Sequence, residues 1–259
     1  MADAGNMVPM RDLRDIWNSG GTAVGAWVLL REPLIAESAA LAGFDYVSLD
    51  LQHGLLSYGD LEGMVQAVVA GGSVPLVRTP WLDHWMIGRA LDAGAAGVIA
   101  PMVNNAADAE RVAQACRYAP QGNRSIGPIA VGVRQPNYSA TANDRVLCIV
   151  MIETKEAVDN IDAILSVPGI DAVYIGPSDL SLSYGLPPSA EQKDPVFLEA
   201  LQKVYDACIR HGVVPGIHAN SAVAADRHAL GYRMITVGYD LGPMQTAMAA
   251  DLQVGRSLQ

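Results

Sequence analysis

Short uninterrupted apolar runs alternate along the chain with longer stretches of helical periodicity. The runs are Ala23–Leu29, Tyr46–Leu49, Pro75–Val77, Gly97–Ala100, Val146–Ile152, Ala172–Ile175, Val213–Ile217 and Met234–Val237. They are rich in Val, Ile and Leu and lack polar alternation, as strands covered on both faces do. Between them lie the helical patterns Leu34–Ala42, Leu61–Ala70, Trp85–Ala93, Ala106–Tyr118, Val158–Leu165 and Val196–Arg210. Gly43, Gly71 and Gly94 follow three of these directly and Gly212 follows a fourth one residue later; glycine just past a helical run is the usual C-terminal stop. Eight β–α units in a chain of this length predict a (β/α)8 TIM barrel, one domain over residues 1–259. A last helix is expected around 243–252.

The pattern also speaks against alternatives. No glycine-rich dinucleotide fingerprint follows the first strand, and no phosphate-loop motif occurs. One segment breaks the rhythm. Residues 119–145 are rich in Pro, Gly, Asn and Ser, and a long stretch without regular pattern is expected to be a lid or binding loop.

Composition narrows the partners. Hydrophobic residues make up 51% and charged residues 17%, which is globular rather than disordered. The net charge of −10 argues against nucleic acid or an anionic membrane surface. The N-terminus carries no apolar stretch of signal length, and no run is long enough to span a bilayer. Cys116, Cys148 and Cys208 have no metal-type or redox spacing and read as buried thiols of a reducing compartment. The expectation is a cytoplasmic protein acting on a small molecule.

In a TIM barrel the C-terminal ends of the strands form the active face. Polar residues cluster there: Asp50-Leu51-Gln52-His53 after the second run, Arg78 after the third, Glu153 after the fifth, Asp179 after the sixth and His218 after the seventh. Asp92 lies in the helical pattern that follows the third run. Two carboxylates on successive parallel strands, Glu153 and Asp179, can converge on one hard divalent cation. With a histidine and an arginine at the same mouth, they make a kit for metal-assisted proton abstraction beside a carbonyl. Each residue also has a structural reading. Glu153 and Asp179 suit a helix N-terminus, Arg78 could pair with Asp50, Asp92 could be solvated, and His218 could merely pack against the pocket.

In order and spacing, the chain resembles the HpcH/HpaI aldolases, class II metal-dependent pyruvate aldolases of the phosphoenolpyruvate/pyruvate superfamily. The resemblance rests on Gly43-Phe44-Asp45-Tyr46 leading to Asp50-Leu51-Gln52-His53, on Val77-Arg78, on Leu91-Asp92-Ala93-Gly94 and on Val98-Ile99-Ala100-Pro101-Met102-Val103. It continues with Ile152-Glu153-Thr154-Lys155-Glu156-Ala157 and Ile175-Gly176-Pro177-Ser178-Asp179-Leu180-Ser181. It implies cleavage of a 4-hydroxy-2-oxo acid, of the heptanedioate, deoxyglucarate or deoxyrhamnonate kind, to an aldehyde and pyruvate. Glu153 and Asp179 would hold magnesium, or manganese or cobalt. Arg78 would face the enolate oxygen and backbone N–H groups of Ser178 and Asp179 the carboxylate; His218, read from its place at a strand end and not from the resemblance, is expected to contact the substrate. His53 would be the base, oriented by Asp92. A hexamer, a dimer of trimers with the C-terminal helix exchanged between subunits, is also implied.

Departures from the pattern are Met151, where many relatives carry Gln, Arg124-Ser125 in place of Arg-Gly, and His218 at a site often apolar. The runner-up activity is another use of the same enolate: oxaloacetate-type decarboxylation, or citrate-lyase-like cleavage. A Schiff-base route needs a pocket lysine, and Lys155, Lys193 and Lys203 are all badly placed for it.

Overall fold

The computed structural model of the protein describes residues 11–258. The first ten residues, part of the segment in which no signal-like stretch is found, and the last residue lie outside the described residues. After α1 (Leu13–Asn18), eight strands and their helices alternate. They run β1 (Ala23–Val28), α2 (Pro33–Leu41), β2 (Tyr46–Asp50), α3 (Leu61–Ala70), β3 (Val74–Arg78), α4 (His84–Asp92) and β4 (Gly97–Ala100). The second half runs α5 (Ala106–Cys116), α6 (Ile129–Arg134), α7 (Tyr138–Arg145), β5 (Leu147–Ile152), α8 (Lys155–Asp159), α9 (Ile161–Leu165) and β6 (Ala172–Ile175). It ends with α10 (Pro177–Ser183), α11 (Pro195–His211), β7 (Val214–His218), α12 (Ala224–Ala229), β8 (Met234–Tyr239) and α13 (Leu241–Arg256). The strands close in sequence order into a parallel barrel, β8 pairing back to β1. This is the (β/α)8 TIM barrel that the eight apolar runs predict.

Both faces of the strands are apolar because both are buried. In β5, Leu147, Ile149 and Met151 fill the lumen, while Cys148, Val150 and Ile152 pack under the helices. Side chains alternate across a strand, so a single parity runs up the lumen to the mouth. It takes Tyr46 and Ser48 to Asp50, Val74 and Leu76 to Arg78, and Leu147, Ile149 and Met151 to Glu153. Leu13 of α1 joins the lumen cluster and closes the far end.

The helices show why they form where they do. In α11, Asp194 caps the start by accepting the Val196 N–H at 3.0 Å, Pro195 takes the first turn, and Gly212 ends it in the left-handed region at φ 67°. Its buried face is Phe197, Ala200, Leu201, Val204, Ala207 and Cys208, a helical stripe.

Two expectations need correction. Residues 119–145 are not structureless throughout: 129–134 and 138–145 fold into α6 and α7. Val131, Tyr138 and Thr141 of that segment line a hollow beside α3 and the end of α4, well away from the barrel mouth. Short helices in a Pro- and Gly-rich stretch carry too few residues for a periodic signal. The last helix, expected around 243–252, extends over Leu241–Arg256 and has no buried residue. Its Met244, Met248 and Leu252 stand exposed four residues apart. Beside it, an apolar groove of about 340 Å³ lies open between β1, α2 and the end of β8, lined by Ile35, Ala39, Phe44 and Pro243 among others. Among the described residues no helix is long and apolar enough to cross a membrane.

Candidate active site

The mouth of the barrel holds a cavity of about 360 Å³. Its walls include Trp27, Asp50, His53, Arg78, Met151, Glu153, Tyr174, Ser178, Asp179 and His218. Asp50, Arg78 and His218 are the last inward-facing positions of their strands, and Glu153 follows the last residue of β5. No lysine lines the cavity; Lys155 and Lys203 pair with Asp159 outside it. The three cysteines are buried and free.

Asp50 organises one wall. Asp50 and Arg78 are direct cross-strand partners in the β2–β3 register, so their side chains leave the same face. Arg78 donates Nε to Asp50 Oδ1 at 2.8 Å and Nη2 to Oδ2, a bidentate pair. Trp27 Nε1 donates to Oδ2 at 3.0 Å, and the backbone N–H groups of Gln52 and His53 donate to Oδ1 at 2.9 and 3.2 Å. Burial alone would raise the Asp50 carboxyl. The hydrogen bond and charge of Arg78, with Trp27 and the His53 N–H, outweigh it and hold the group below the usual carboxylate range. The result is a fixed anion that locks the guanidinium and pins the turn carrying His53. Arg78 Nη1 has no partner among the described residues and is not sealed from solvent, so it remains to meet a ligand. The His53 side chain is exposed at the rim.

Glu153 forms the opposite wall. It is 3% exposed, and its Oε1 accepts the Met102 N–H at 2.7 Å. Met102 takes a left-handed φ of 56°, costly for a residue with a Cβ and so a mark of a position held by its surroundings. Gly176 gives Glu153 its space: a Cβ there would lie 2.5 Å from Oε2. Burial pushes the Glu153 carboxyl up to about 7; the Met102 N–H opposes this, the Asp179 charge adds to it, and Arg78 opposes it. Asp179 lies in the first turn of α10, exposed to the cavity, with Gly176 rather than an acid as the N-cap. The Ser178 and Asp179 N–H groups belong to that turn, which has no side-chain cap.

This wall answers whether a divalent cation fits. Among the described residues no group of three or more His, Cys, Asp or Glu could hold a metal. What exists is a pair of carboxylates, one raised toward neutrality by burial and by its neighbour's charge. Two carboxylate donors on one wall, able to ionise when a cation is present, suit a hard divalent ion completed by water and substrate oxygens.

His218 lines the cavity, with its ring edge-on to Trp27 at 5.2 Å and Nδ1 3.2 Å from the Tyr174 hydroxyl. Burial first, and the Arg78 charge next, press its pKa down to about 4. Met151 fills lumen space just below Glu153. Asp92 is the exception. Within the chain it does not reach His53: its Oδ1 accepts Arg124 Nη2 at 2.6 Å, and it does not line the cavity. Arg124 in turn lies over Tyr118 and Tyr138 and anchors the 119–145 segment. Within one chain, then, Asp92 pairs with Arg124 and not with His53. Sequence reading passed over Asp50 as an organiser, along with Tyr174, Thr236 and the Met102 N–H. Lumen parity would have found the first three; the last has no sequence signal.

Residues 23–247 match the family model described as HpcH/HpaI aldolase/citrate lyase. A hydroxypyruvate/pyruvate aldolase of Rhizorhabdus wittichii is 38% identical over 251 residues, covering 96% of this chain and 100% of that protein. A 2-keto-3-deoxy-L-rhamnonate aldolase of Salmonella schwarzengrund is 34% identical over 249 residues, covering 93% and 91%. Among solved structures, an HpcH/HpaI aldolase from Desulfitobacterium hafniense superposes with a TM-score of 0.87 at 30% identity, covering 96% of this chain and 98% of that one.

Proposed function

The chain belongs to the HpcH/HpaI aldolase/citrate lyase family of carbon–carbon lyases, and within it we propose a metal-dependent aldolase that reversibly splits a 4-hydroxy-2-oxo acid into an aldehyde and pyruvate or a close 2-oxo acid. The observation that carries this reading is the opposition of two walls in one cavity. A carboxylate pair, Glu153 and Asp179, faces a guanidinium held by Asp50. Glu153 and Asp179 would hold the cation, with magnesium the first candidate and manganese or cobalt next. Bound there, the cation would polarise the 2-oxo carbonyl as a Lewis acid.

The rest of the chemistry belongs to the chain's own groups. The first-turn N–H groups of Ser178 and Asp179 receive the substrate carboxylate at the start of α10. Arg78 Nη1 stabilises negative charge as it develops on the 2-oxo oxygen. Its direction is fixed in advance by Asp50, so no reorganisation is needed at the moment of reaction. In cleavage His53 takes the proton of the C4 hydroxyl, directly or through a water. The C3–C4 bond breaks, the aldehyde leaves, and the enolate is reprotonated at C3. Met151 offers no hydrogen bond where many relatives have Gln, which leaves substrate orientation to the remaining polar groups.

Helix α13 with its exposed Met244, Met248 and Leu252, and the open groove beside β1, fit a helix exchanged between subunits of a homo-oligomer, with a hexamer as the expected state. Light scattering on Met248→Asp should then report smaller species; an unchanged mass would remove the exchange.

The primary test needs no knowledge of the aldehyde. Pyruvate methyl protons should exchange for deuterium with magnesium or manganese and stop exchanging with EDTA. Glu153→Ala should abolish the exchange and His53→Ala should slow it strongly. Exchange that persists in EDTA would remove the roles given to Glu153 and Asp179.

A further inference from the structure

His218 sits at a position that the resemblance leaves apolar, and its surroundings assign it a polarity. Below the cavity, three hydroxyls meet in the lumen: Tyr46, Tyr174 and Thr236, at most 1% exposed. Tyr46 Oη is 2.9 Å from Thr236 Oγ1, and Tyr174 Oη donates to the same oxygen at 2.5 Å. Tyr174 Oη is also 3.2 Å from His218 Nδ1. A phenol has one proton. With that proton committed to Thr236, the contact to His218 is a hydrogen bond only when Nδ1 carries the hydrogen and Tyr174 accepts it. A neutral imidazole has a single N–H, so Nε2 is left as a bare acceptor.

The geometry around Nε2 is that of a binding position. No described residue donates to it, it is not among the polar atoms sealed from solvent, and its ring lines the cavity. Trp27 meets the ring edge-on at 5.2 Å, and the Arg78 guanidinium carbon lies over the same indole, 5.0 Å from the ring centre. Two groups of opposite hydrogen-bonding character thus flank one aromatic wall: Arg78, which only donates, and His218 Nε2, which only accepts. The low pKa of His218 agrees with this, since a ring that stays neutral keeps its lone pair. A carboxylate or phosphate oxygen has nothing to donate to such a lone pair. A hydroxyl has.

We propose that His218 Nε2 accepts a hydrogen bond from a hydroxyl carried by the substrate, with Tyr174 and Thr236 as positioning residues that fix its tautomer, so that the enzyme selects hydroxylated substrates. The proposal rests on the aldolase reading for the choice of probes, but not for its structural core. The hydroxyl has two sources: C3 of the 2-oxo acid, or the carbon next to the aldehyde.

Two measurements test it. In the first, kcat/KM is compared for pairs differing by one hydroxyl: 3-hydroxypyruvate against pyruvate with a common aldehyde, and glycolaldehyde against acetaldehyde with a common 2-oxo acid. His218→Phe keeps a flat ring and removes the acceptor; it should lower the preference for the hydroxylated member of one pair on the order of tenfold. The pair affected identifies the source, and no change in either ratio overturns the proposal. Tyr174→Phe should weaken the same preference while leaving the imidazole in place. In the second, nitrogen NMR of histidine-labelled protein, with His218 assigned by its loss in His218→Phe, reads the tautomer directly. Nδ1 should be the protonated nitrogen at neutral pH, and Tyr174→Phe should mix the tautomers. Protonation at Nε2 overturns the assignment whether or not the protein proves to be an aldolase. Absence of aldol turnover with a correct tautomer would instead count against the proposed function, and perturbation of Nε2 by hydroxypyruvate but not pyruvate would then decide the hydroxyl contact.

Discussion

Replacing Glu153 by Gln should make the metal-free protein more stable at high pH while destroying its activity. Glutamine keeps the oxygen that accepts the Met102 N–H and keeps the shape beside Gly176, so the change removes charge and little else. In the folded chain the carboxyl titrates at about 7, against an ordinary value of 4.5. The folded state therefore holds a proton that the unfolded chain has already released. Stability falls as pH rises from the unfolded value to the folded one and levels off above it. At about 1.4 kcal/mol per pH unit, the full cost of ionising Glu153 in the fold is about 3 kcal/mol, of which about 2–3 kcal/mol develops between pH 5 and 8. Urea unfolding of EDTA-treated wild type and Glu153→Gln at both pH values, at one fixed protomer concentration, isolates that loss as a difference of differences. Other titrating groups cancel. Stability gaps that do not change with pH would show that Glu153 titrates normally and would refute the reasoning. Adding magnesium should restore wild type at pH 8 by about 2.7 kcal/mol at a hundredfold excess over Kd, and should do nothing for the variant.

Other outcomes follow from the same geometry. Gly176→Ala places a methyl group 2.5 Å from Glu153 Oε2 and must displace that carboxylate; metal affinity measured by calorimetry should fall at least about tenfold, and wild-type affinity would show that Glu153 is not a ligand. Arg78→Lys keeps the charge but loses the bidentate hold on Asp50; pyruvate proton exchange should fall by about a hundredfold, and a change in KM alone would mean that Arg78 only binds. Asp92→Ala leaves Arg124, whose side chain is 1% exposed, without its partner; the fold should lose about 2–3 kcal/mol with the pH–rate profile unmoved, whereas a shifted profile would return Asp92 to the site through a neighbouring subunit.

The ordering of β and α segments was legible because strands buried on both faces leave uninterrupted apolar runs, which little else in a soluble chain does. The mouth residues Asp50, His53, Arg78, Glu153, Asp179 and His218 were legible for a related reason. A polar residue that ends an apolar strand has left the core at the barrel rim, and local sequence records that position. What local sequence does not record is the direction in which a side chain finds its partner. Asp92 went to Arg124, which lies outside any helix and is held by Tyr138 of α7, a contact between stretches that share no periodic signal. The Asp50–Arg78 pair required the β2–β3 register, the Met102 N–H required a left-handed backbone, and the room around Glu153 required the absence of a Cβ at Gly176. By itself the sequence determined the barrel and the set of groups at its mouth, because burial is written in composition along each strand. The tertiary structure alone decided which groups are paired, which are left with a free lone pair or proton, and which carboxylate is held near neutrality, because these depend on distances between strands that the chain brings together only when the barrel closes.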